Sequence, residues 1–307
     1  MNNQEPSILK VVLAFAAIYI IWGSTYLSMA IAIESIPPFM MAGVRFTIAG
    51  LILIGWTFAL RKPMPTWKEW KATIVSGSFL IIGGNMSVVW AEQFVPSAVA
   101  AIIIASVPIW LVLMDGHQRK QLFKNMFLLP GLLIGFGGVF YLMGNGEAVP
   151  IENEYYVYMG RIVLICAAVF WSAGTYLSRS PKHPSNSLLK SGMQMFSGGV
   201  ITLILSVLLG EFNDVGSLHF TTESVLALGY LIVFGALIGY SSYVWLVQVR
   251  PPTQVSTYAY VNPVVAVLLG WGFHNEPITK HTIIALCIIL LGVFLINQSF
   301  RKAKKAV

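Results

Sequence analysis

Residues 89–108 read VWAEQFVPSAVAAIIIASVP, and residues 244–263 read VWLVQVRPPTQVSTYAYVNP. Aligned without a gap, the two stretches share Val-Trp, a glutamine three residues after the tryptophan, and two prolines that are twelve residues apart. The offset between the stretches is 155 residues. This repetition indicates that the chain is built from two related halves.

The composition indicates a membrane protein. Of the 307 residues, 57% are hydrophobic and only 10% are charged, whereas soluble domains carry about 25% charged residues. The formal charge of +7 comes from basic residues in short loops rather than along one face, so the pattern excludes nucleic acid as a partner. Cys166 and Cys287 both fall inside apolar runs, which predicts buried thiols and no disulfide framework.

The apolar runs predict the fold class, an all-α integral membrane protein with ten transmembrane helices. A spanning helix needs about 20 mostly apolar residues, and ten segments have this character. The predicted spans are residues 11–32, 38–60, 72–93, 97–115, 125–143, 159–178, 189–210, 223–248, 252–272 and 281–298.

The distribution of charge supports this count. With the N-terminus inside and the spans alternating in direction, all of the 19 basic residues except Arg45, Arg161 and Lys280 fall on the inner side or at inner helix ends. Most acidic residues fall on the opposite side. Because Lys and Arg accumulate in cytoplasmic loops, the sequence predicts ten spans with both termini cytoplasmic.

Further matches follow the same order along the two halves. WGSTYLS (22–28) resembles WSAGTYLS (171–178), and Gly50 corresponds to Gly199. We therefore predict a first repeat at residues 10–145 and a second at 158–299. Five spans is an odd number, so the second half enters the membrane from the opposite side. Inverted repeats of this kind place a substrate site between the halves.

The second proline of each repeated stretch is a candidate hinge or gate. Pro108 and Pro263 lack an N–H group, so the carbonyls of Ile104 and Ala259 lose their helical partner. Such carbonyls need another donor or a water-lined cavity. The alternative is that transmembrane helices simply tolerate proline.

These residues resemble the EamA-domain branch of the drug/metabolite transporter superfamily. The motifs that carry the resemblance are Trp-Gly-Ser-Thr-Tyr (22–26), Arg45-Phe46, the 90–108 stretch, Tyr-Val-Asn-Pro (260–263) and Glu276-Pro277. The resemblance implies two inverted EamA repeats, alternating access to a central cavity, and transport of small solutes across a bacterial cytoplasmic (inner) membrane. It implies export in many cases, often of amino acids or related metabolites. The first half departs from the family pattern, because Asp115-Gly116-His117 stands where a counterpart of Glu276-Pro277 is expected. The resemblance therefore carries no symmetric role over to that acid.

Arg45 is the only basic residue well inside a span, about 10 Å along its helix from Pro38. Its planar guanidinium suits a substrate carboxylate. Two structural alternatives are an ion pair with Glu92 and a side chain that extends to the interface.

Amides and aromatics complete the predicted substrate-binding set. Trp22 and Trp171 lie too deep in their spans for an interface belt, so they favour either core packing or a cavity wall. Asn262 precedes Pro263, and Tyr258 shares its helical face. The remaining members are Asn85 and Trp90. By contrast, Gly235-x-x-x-Gly239 predicts close packing between helices.

The leading functional hypothesis is a secondary transporter, with a small-molecule substrate and the lipid bilayer as its partners. No G-x-x-x-x-G-K-[ST] loop is present, so we expect no nucleotide motor and no cofactor. No acidic residue lies near the middle of a span, so proton antiport and facilitated diffusion both remain compatible with the sequence.

The alternative is an intramembrane enzyme acting on a lipid or isoprenoid, but no metal-ligating or acid–base constellation is visible. Substrate identity, direction and oligomeric state do not follow from these residues.

Overall fold

The computed structural model describes residues 7–116, 126–144, 154–213, 219–250 and 252–305. Within these ranges the regular structure is entirely helical. The helices are α1 (Ile8–Ile33), α2 (Pro38–Ala59), α3 (Trp67–Ala91), α4 (Ser97–Ile104), α5 (Val107–Met114), α6 (Leu128–Gly144), α7 (Glu154–Leu177), α8 (Ser187–Leu208), α9 (Thr222–Val249), α10 (Pro252–Val255), α11 (Tyr258–His274) and α12 (Lys280–Lys305).

Seven helical segments in the described residues are long and apolar enough to cross a membrane. Three further apolar helices are shorter, at Leu128–Leu142, Val261–His274 and Lys280–Ile296. Helix covers most of each predicted span within the described residues, so the prediction of an all-helical membrane protein is confirmed. The count of ten crossings and the division into repeats stay predictions; position 145, the end of the first predicted repeat, lies outside the described residues.

Both cysteines lie on the outer surface of the helix bundle. Cys166 on α7 and Cys287 on α12 are free and exposed, so the prediction that they are buried is wrong. In a membrane protein an apolar run can face lipid, and apolar character alone does not place a side chain in the protein core.

The two repeated stretches break their helices at different places. The first breaks between α4 and α5, which puts Pro108 in the first turn of α5, where its missing N–H costs nothing. The second breaks between α10 and α11, and Pro263 lies inside α11. At this earlier break the Thr257 hydroxyl donates to the Gln254 carbonyl at 2.7 Å and lies 2.6 Å from the Tyr19 hydroxyl.

Three helices contain π-helical turns, which are wider than α-helical turns. They lie at Ala17–Ile21 in α1, Ser78–Met86 in α3 and Leu231–Tyr240 in α9. The second and third nearly coincide at the 155-residue offset of the repeat. Because π turns occur frequently at functional sites, they indicate where the two halves could form one.

Glycines bring α2 and α8 into close antiparallel contact. A Cβ atom at Gly50 would lie 2.4 Å from the backbone nitrogen of Phe196, and a Cβ at Gly199 would lie 2.5 Å from that of Thr47. Residues later in α2 therefore contact residues earlier in α8, so the two helices run antiparallel. Helices α6 and α12 pack in the same way, since a Cβ at Gly292 would lie 2.5 Å from the nitrogen of Gly135. Small residues of this kind permit close helix packing in membranes.

Two carboxylates from the second half close the starts of helices in the first half. Glu211 accepts the backbone N–H groups of residues 39–40 at 3.1 and 2.7 Å, at the start of α2. Glu276 accepts those of residues 97–98 at 3.0 and 3.1 Å, at the start of α4. A carboxylate satisfies the free N–H groups of a helix start and interacts favourably with its dipole.

Candidate functional site

A central cavity is lined by residues of the π segments of α3 and α9 and by Trp22, which directly follows the π segment of α1. Its empty volume is about 580 Å³ including the part that is open at its mouth, which is an upper bound and restricts the occupant to a small solute. The lining side chains come from α1–α4 on one side and α7, α9 and α11 on the other. They are Trp22, Thr25, Tyr26, Met29, Arg45, Phe46, Gly84, Asn85, Val88, Ile104, Ala167, Trp171, Gly235, Tyr240, Tyr258 and Asn262.

Trp22 is the centre of an aromatic wall. Its ring meets Trp171 and Tyr258 edge to face, with centroids at 5.5 and 5.3 Å, and Tyr243 at 5.0 Å. Its Nε1 donates to the carbonyl of Gly235 in the π segment of α9 at 3.3 Å. Edge-to-face aromatic contacts hold the rings in fixed orientations, so this wall presents a defined apolar surface drawn from both halves.

Arg45 is a buried cation whose side chain makes no hydrogen bond within the described residues. It is 2% exposed, its Nε and Nη1 atoms are buried and unbonded, and its guanidinium carbon lies 4.6 Å from the Phe46 ring centroid. Among the described residues no ion pair joins it to Glu92, so the ion-pair alternative is wrong. Burial also contradicts a side chain that extends to the interface. The cationic group is therefore available to the cavity.

Glu92 is a buried acid just beyond the end of α3, and its carboxylate makes no hydrogen bond to any described residue. It is 8% exposed, and both carboxylate oxygens are buried without a hydrogen bond. The contrast with Glu276 is informative, because both oxygens of Glu276 are held by backbone N–H groups.

The two asparagines differ in what they contact. Asn85 lies in the π segment of α3, and its Oδ1 is buried without a partner at the cavity wall. Asn262 is 3% exposed, and its amide nitrogen donates to the carbonyls of Ile18 and Tyr19 at 3.1 and 3.0 Å when it is oriented toward them. Asn262 therefore fixes α11 against the π turn of α1, whereas Asn85 offers a free acceptor.

A second polar cluster lies at the far side of Tyr240. The Tyr240 hydroxyl donates to Gln194 Oε1 at 3.1 Å, and Gln194 Nε2 donates to the hydroxyls of Ser76 and Ser178 at 2.8 and 2.6 Å. These bonds connect α3, α8, α9 and the residue after α7. Tyr240 also lines the cavity, so one end of the cluster reaches the site.

Two ionisable side chains extend this cluster toward the α7–α8 connection. Lys190 Nζ donates to the Ser178 carbonyl at 3.1 Å. The Nε2 atom of His183 lies 3.0 Å from Ser76 Oγ, and its Nδ1 atom lies 3.0 Å from the Ser180 carbonyl. Burial lowers the pKa of His183, and the charge of Lys190 acts in the same direction. We call the six residues Ser76, Ser178, His183, Lys190, Gln194 and Tyr240 the Gln194 network.

Comparison with known proteins decides the family. The model of the EamA-like transporter family matches residues 9–144 and again residues 158–298. The chain belongs to this family. It is therefore a membrane transporter, for which a small-molecule substrate and membrane lipid are the implied partners.

Named relatives agree with this membership. "Uncharacterized inner membrane transporter YedA" of Escherichia coli (strain K12) is 34% identical over 286 residues, covering 92% of this chain and 89% of the relative. "Uncharacterized transporter YoaV" of Bacillus subtilis (strain 168) is 25% identical over 301 residues, covering 96% and 99%. A solved crystal structure of a protein matches with a TM-score of 0.66 and 19% identity over 94% of this chain and 97% of the other, which shows the fold alone.

The cavity of this EamA-like transporter brings together most of the predicted substrate-binding residues. Those that line it are Trp22, Arg45, Asn85, Trp171, Tyr258 and Asn262. Trp90 does not, and instead packs edge to face on Phe94 with a centroid distance of 5.1 Å. Neither Pro108 nor Pro263 contributes to the lining, although Ile104, at the end of α4, does.

Sequence reasoning missed one complete face of α1 in this EamA-like transporter. Thr25, Tyr26 and Met29 lie three, four and seven residues after Trp22, which is the spacing of one helical face, and all three line the cavity. That periodicity could have identified them. Tyr240 carried no such signal, because it lies at the end of a π segment, where α-helical spacing fails.

Gly235 and Gly239 give room to site side chains in addition to packing helices. A Cβ atom at Gly235 would lie 2.7 Å from Arg45 Nη2, and one at Gly239 would lie 2.6 Å from Trp22 Nε1. The predicted helix-packing motif therefore also shapes the cavity of the transporter.

Proposed function

We propose that this EamA-like transporter is a secondary transporter that exports a small organic metabolite, such as an amino acid or a related compound, by alternating access. The observation that carries the proposal is the cavity itself. Within one aromatic wall it offers the unbonded donors of Arg45 and the unbonded acceptor Asn85 Oδ1. Buried polar groups are normally satisfied, so a bound solute is the natural partner for these.

The chemistry of the cavity fits an amino acid. The Arg45 guanidinium matches a carboxylate in geometry and charge. Asn85 Oδ1 can accept a hydrogen bond from an ammonium group, and the rings around Trp22 can cover an apolar side chain or attract a cation. The direction of export is supported by the resemblance to the EamA branch.

The proposed architecture is ten crossings arranged as two inverted five-helix repeats, at residues 10–145 and 158–299, in a bacterial cytoplasmic membrane with both termini inside. The antiparallel contacts of α2 with α8 and of α6 with α12 support it, since each pair joins corresponding helices of the two halves. Basic residues collected on one side support the orientation. Pro108 and Pro263, close to the helix breaks, are the proposed hinge positions.

Flux measurements test the proposed function. The purified protein in proteoliposomes should move at least one solute from a panel of labelled L-amino acids and their amines, in uptake and in efflux. Trp22→Ala and Asn262→Ala should reduce this flux more than the control variants Trp90→Ala and Trp245→Ala at equal protein content. No flux of any solute, together with turnover of a lipid substrate, would overturn the transporter mechanism in favour of an intramembrane enzyme.

Cysteine labelling tests the architecture. After Cys166→Ala and Cys287→Ala, the single variants Gln93→Cys and Arg250→Cys should react with an impermeant maleimide from opposite sides of the membrane. Reaction of both from the same side would contradict the inverted repeats.

A further inference from the structure

A buried cation, Arg45, lines the cavity, and a buried acid, Glu92, lies four residues after the lining residue Val88. The two side chains do not contact each other. Arg45 and Glu92 are 2% and 8% exposed. Neither side chain makes a hydrogen bond in the described residues, and the distance between them exceeds the 4.0 Å of an ion pair. Each charge nevertheless lies within electrostatic range of the other.

This arrangement is costly unless a ligand completes it. An ionised carboxylate without hydrogen bonds is expensive to bury, and protonation removes that cost. An unbonded guanidinium is equally costly, and an anion removes that cost. Ionisable residues at such positions in membrane proteins commonly mark ion and proton pathways.

The surroundings of Glu92 restrict what can compensate it. The charged or titratable groups that act on it are Tyr26 from α1, Arg45 from α2 and Glu276 from the segment after α11. On α7, the neighbouring element, Gly160 faces Val95 and Ala91, and Arg161 follows it in sequence. The Glu276 carboxylate is already engaged by backbone N–H groups, so it adds a second negative charge near Glu92.

We propose that Arg45 and Glu92 form a coupled site that binds a solute carboxylate and a proton together, so that both cross the membrane in the same direction. The carboxylate binds the free donors of Arg45 at the cavity wall, and the proton binds a carboxylate oxygen of Glu92. This inference rests on the proposed function and names its substrate class and coupling ion.

The charges beside Arg45 explain the coupling. Without solute, Arg45 is the cation that acts on the ionised Glu92, while the Glu276 carboxylate is compensated by its backbone N–H partners. A solute carboxylate bound at Arg45 neutralises that cation locally, even when the solute carries an ammonium group near Asn85, and protonation of Glu92 then removes the uncompensated negative charge. Solute and proton therefore strengthen each other's binding, and this effect is reciprocal by linkage. With this coupling, export requires an outward solute gradient larger than the inward electrochemical gradient of the proton, because a zwitterionic solute and one proton together carry a positive charge.

A solute-free measurement tests the proton site directly. Infrared difference spectra of the purified full-length protein in lipid, recorded across pH, should contain the band of a protonated carboxyl group. Glu92→Gln should lose this band, whereas Glu154→Gln, at an exposed acid in the first turn of α7, should keep it. Spectra of Glu92→Gln that match the wild type at every pH would overturn the proposal.

A flux measurement tests the coupling. In proteoliposomes with an imposed gradient of one pH unit, a transported amino acid should accumulate up to about tenfold on the alkaline side, the limit for one proton per solute. Glu92→Gln should show no accumulation, Glu92→Asp should retain part of it, and Glu154→Gln should behave as the wild type. Arg45→Gln should lose the preference for an amino acid over its decarboxylated amine.

The outcomes separate this inference from the transport function. Flux that ignores the pH gradient, accumulation that persists in Glu92→Gln, or equal accumulation of acid and amine would overturn the coupled site and leave transport standing. Absence of flux for the whole panel would count against the proposed function, and the infrared titration would then decide whether Glu92 carries a proton.

Discussion

Two polar clusters reach the same cavity through one residue each, Tyr240 of the Gln194 network and Arg45 of the Arg45–Glu92 pair. They differ in how well their polar groups are satisfied by hydrogen bonds. Each member of the Gln194 network makes at least one hydrogen bond. The side chains of Arg45 and Glu92 make none in the part of the chain that the structure describes. The clusters also lie at different depths. Gly43, two residues before Arg45 on α2, contacts Leu203 of the antiparallel helix α8. Leu203 is nine residues from Gln194, which is roughly 14 Å along α8, so Arg45 and Gln194 lie at different levels of the bundle.

The difference separates what holds the protein together from what serves the solute. A satisfied buried network fixes the helices that it joins. An unsatisfied one reduces the stability of the empty protein and is retained where function requires it. Substitutions in the two clusters should therefore have effects of opposite kind.

Arg45→Met should give the largest effect on transport. It removes the charge-assisted hydrogen bonds to the solute, worth about 1.5–3 kcal/mol, so the initial rate should fall by about 10- to 100-fold. The free energy of unfolding should stay the same or rise, because an unpaired buried charge is removed. Initial rates in proteoliposomes and thermal unfolding of the same preparation measure both. A clear loss of stability would contradict the assignment of Arg45 to the solute.

Gln194→Leu should give the opposite pattern. It leaves Ser76, Ser178 and Tyr240 each without one hydrogen-bond partner, so the free energy of unfolding should fall by about 1–3 kcal/mol. Gln93→Leu, at an exposed helix end, is the matched control and should change stability little. Thermal unfolding in detergent makes the comparison, and equal melting temperatures for the two variants would mean that the network does not stabilise the fold.

Gly235→Ala should give an intermediate effect on transport. The added Cβ would lie 2.7 Å from Arg45 Nη2 and 3.0 Å from Thr25 Cγ2, so the guanidinium must move and flux should fall by about 3- to 10-fold. Gly229→Ala on the same helix meets nothing within 4 Å and should transport as the wild type. Equal rates for the two variants would show that the position of Arg45 is not critical.

His183 should give the smallest effect, visible only in the dependence of stability on pH. Because burial lowers its pKa in the folded protein, the unfolded chain binds a proton at higher pH than the folded chain does. Stability should therefore fall as the pH drops below the ordinary histidine range, by at most a few degrees in Tm. His183→Asn should remove this part of the pH dependence, and exposed His219→Asn should preserve it. A pH profile unchanged in His183→Asn would contradict a role for this side chain.

The sequence predicts much of this arrangement because hydrophobic length is a local property. The helices follow from apolar runs of spanning length, and Arg45 was identifiable because a cation within such a run is rare. Trp22 and Trp171 could be paired through the repeat. These signals depend only on neighbouring residues or on a comparison of the two halves.

Other features depend on contacts that sequence spacing does not encode. Ser76 and Gln194 are 118 residues apart, and no sequence motif predicts that they form a hydrogen bond. The fate of Glu92 depends on the packing of α1, α2 and the segment after α11 around the end of α3. Trp90 follows the π segment of α3, whose wider turns shift the helical face of later residues, so an α-helical count could not place it.

The carboxylates of Glu211 and Glu276, each fastening the start of a first-half helix to the second half, have a mechanical consequence. If both carboxylates keep their N–H partners throughout transport, they are two fixed points of contact between the halves. The motion of one half against the other then becomes a rotation about the line that joins these two points. Helix ends far from this rotation axis then undergo the largest displacement, while those beside it move little. The cavity would then open widely on the side far from this line and only slightly on the side next to it.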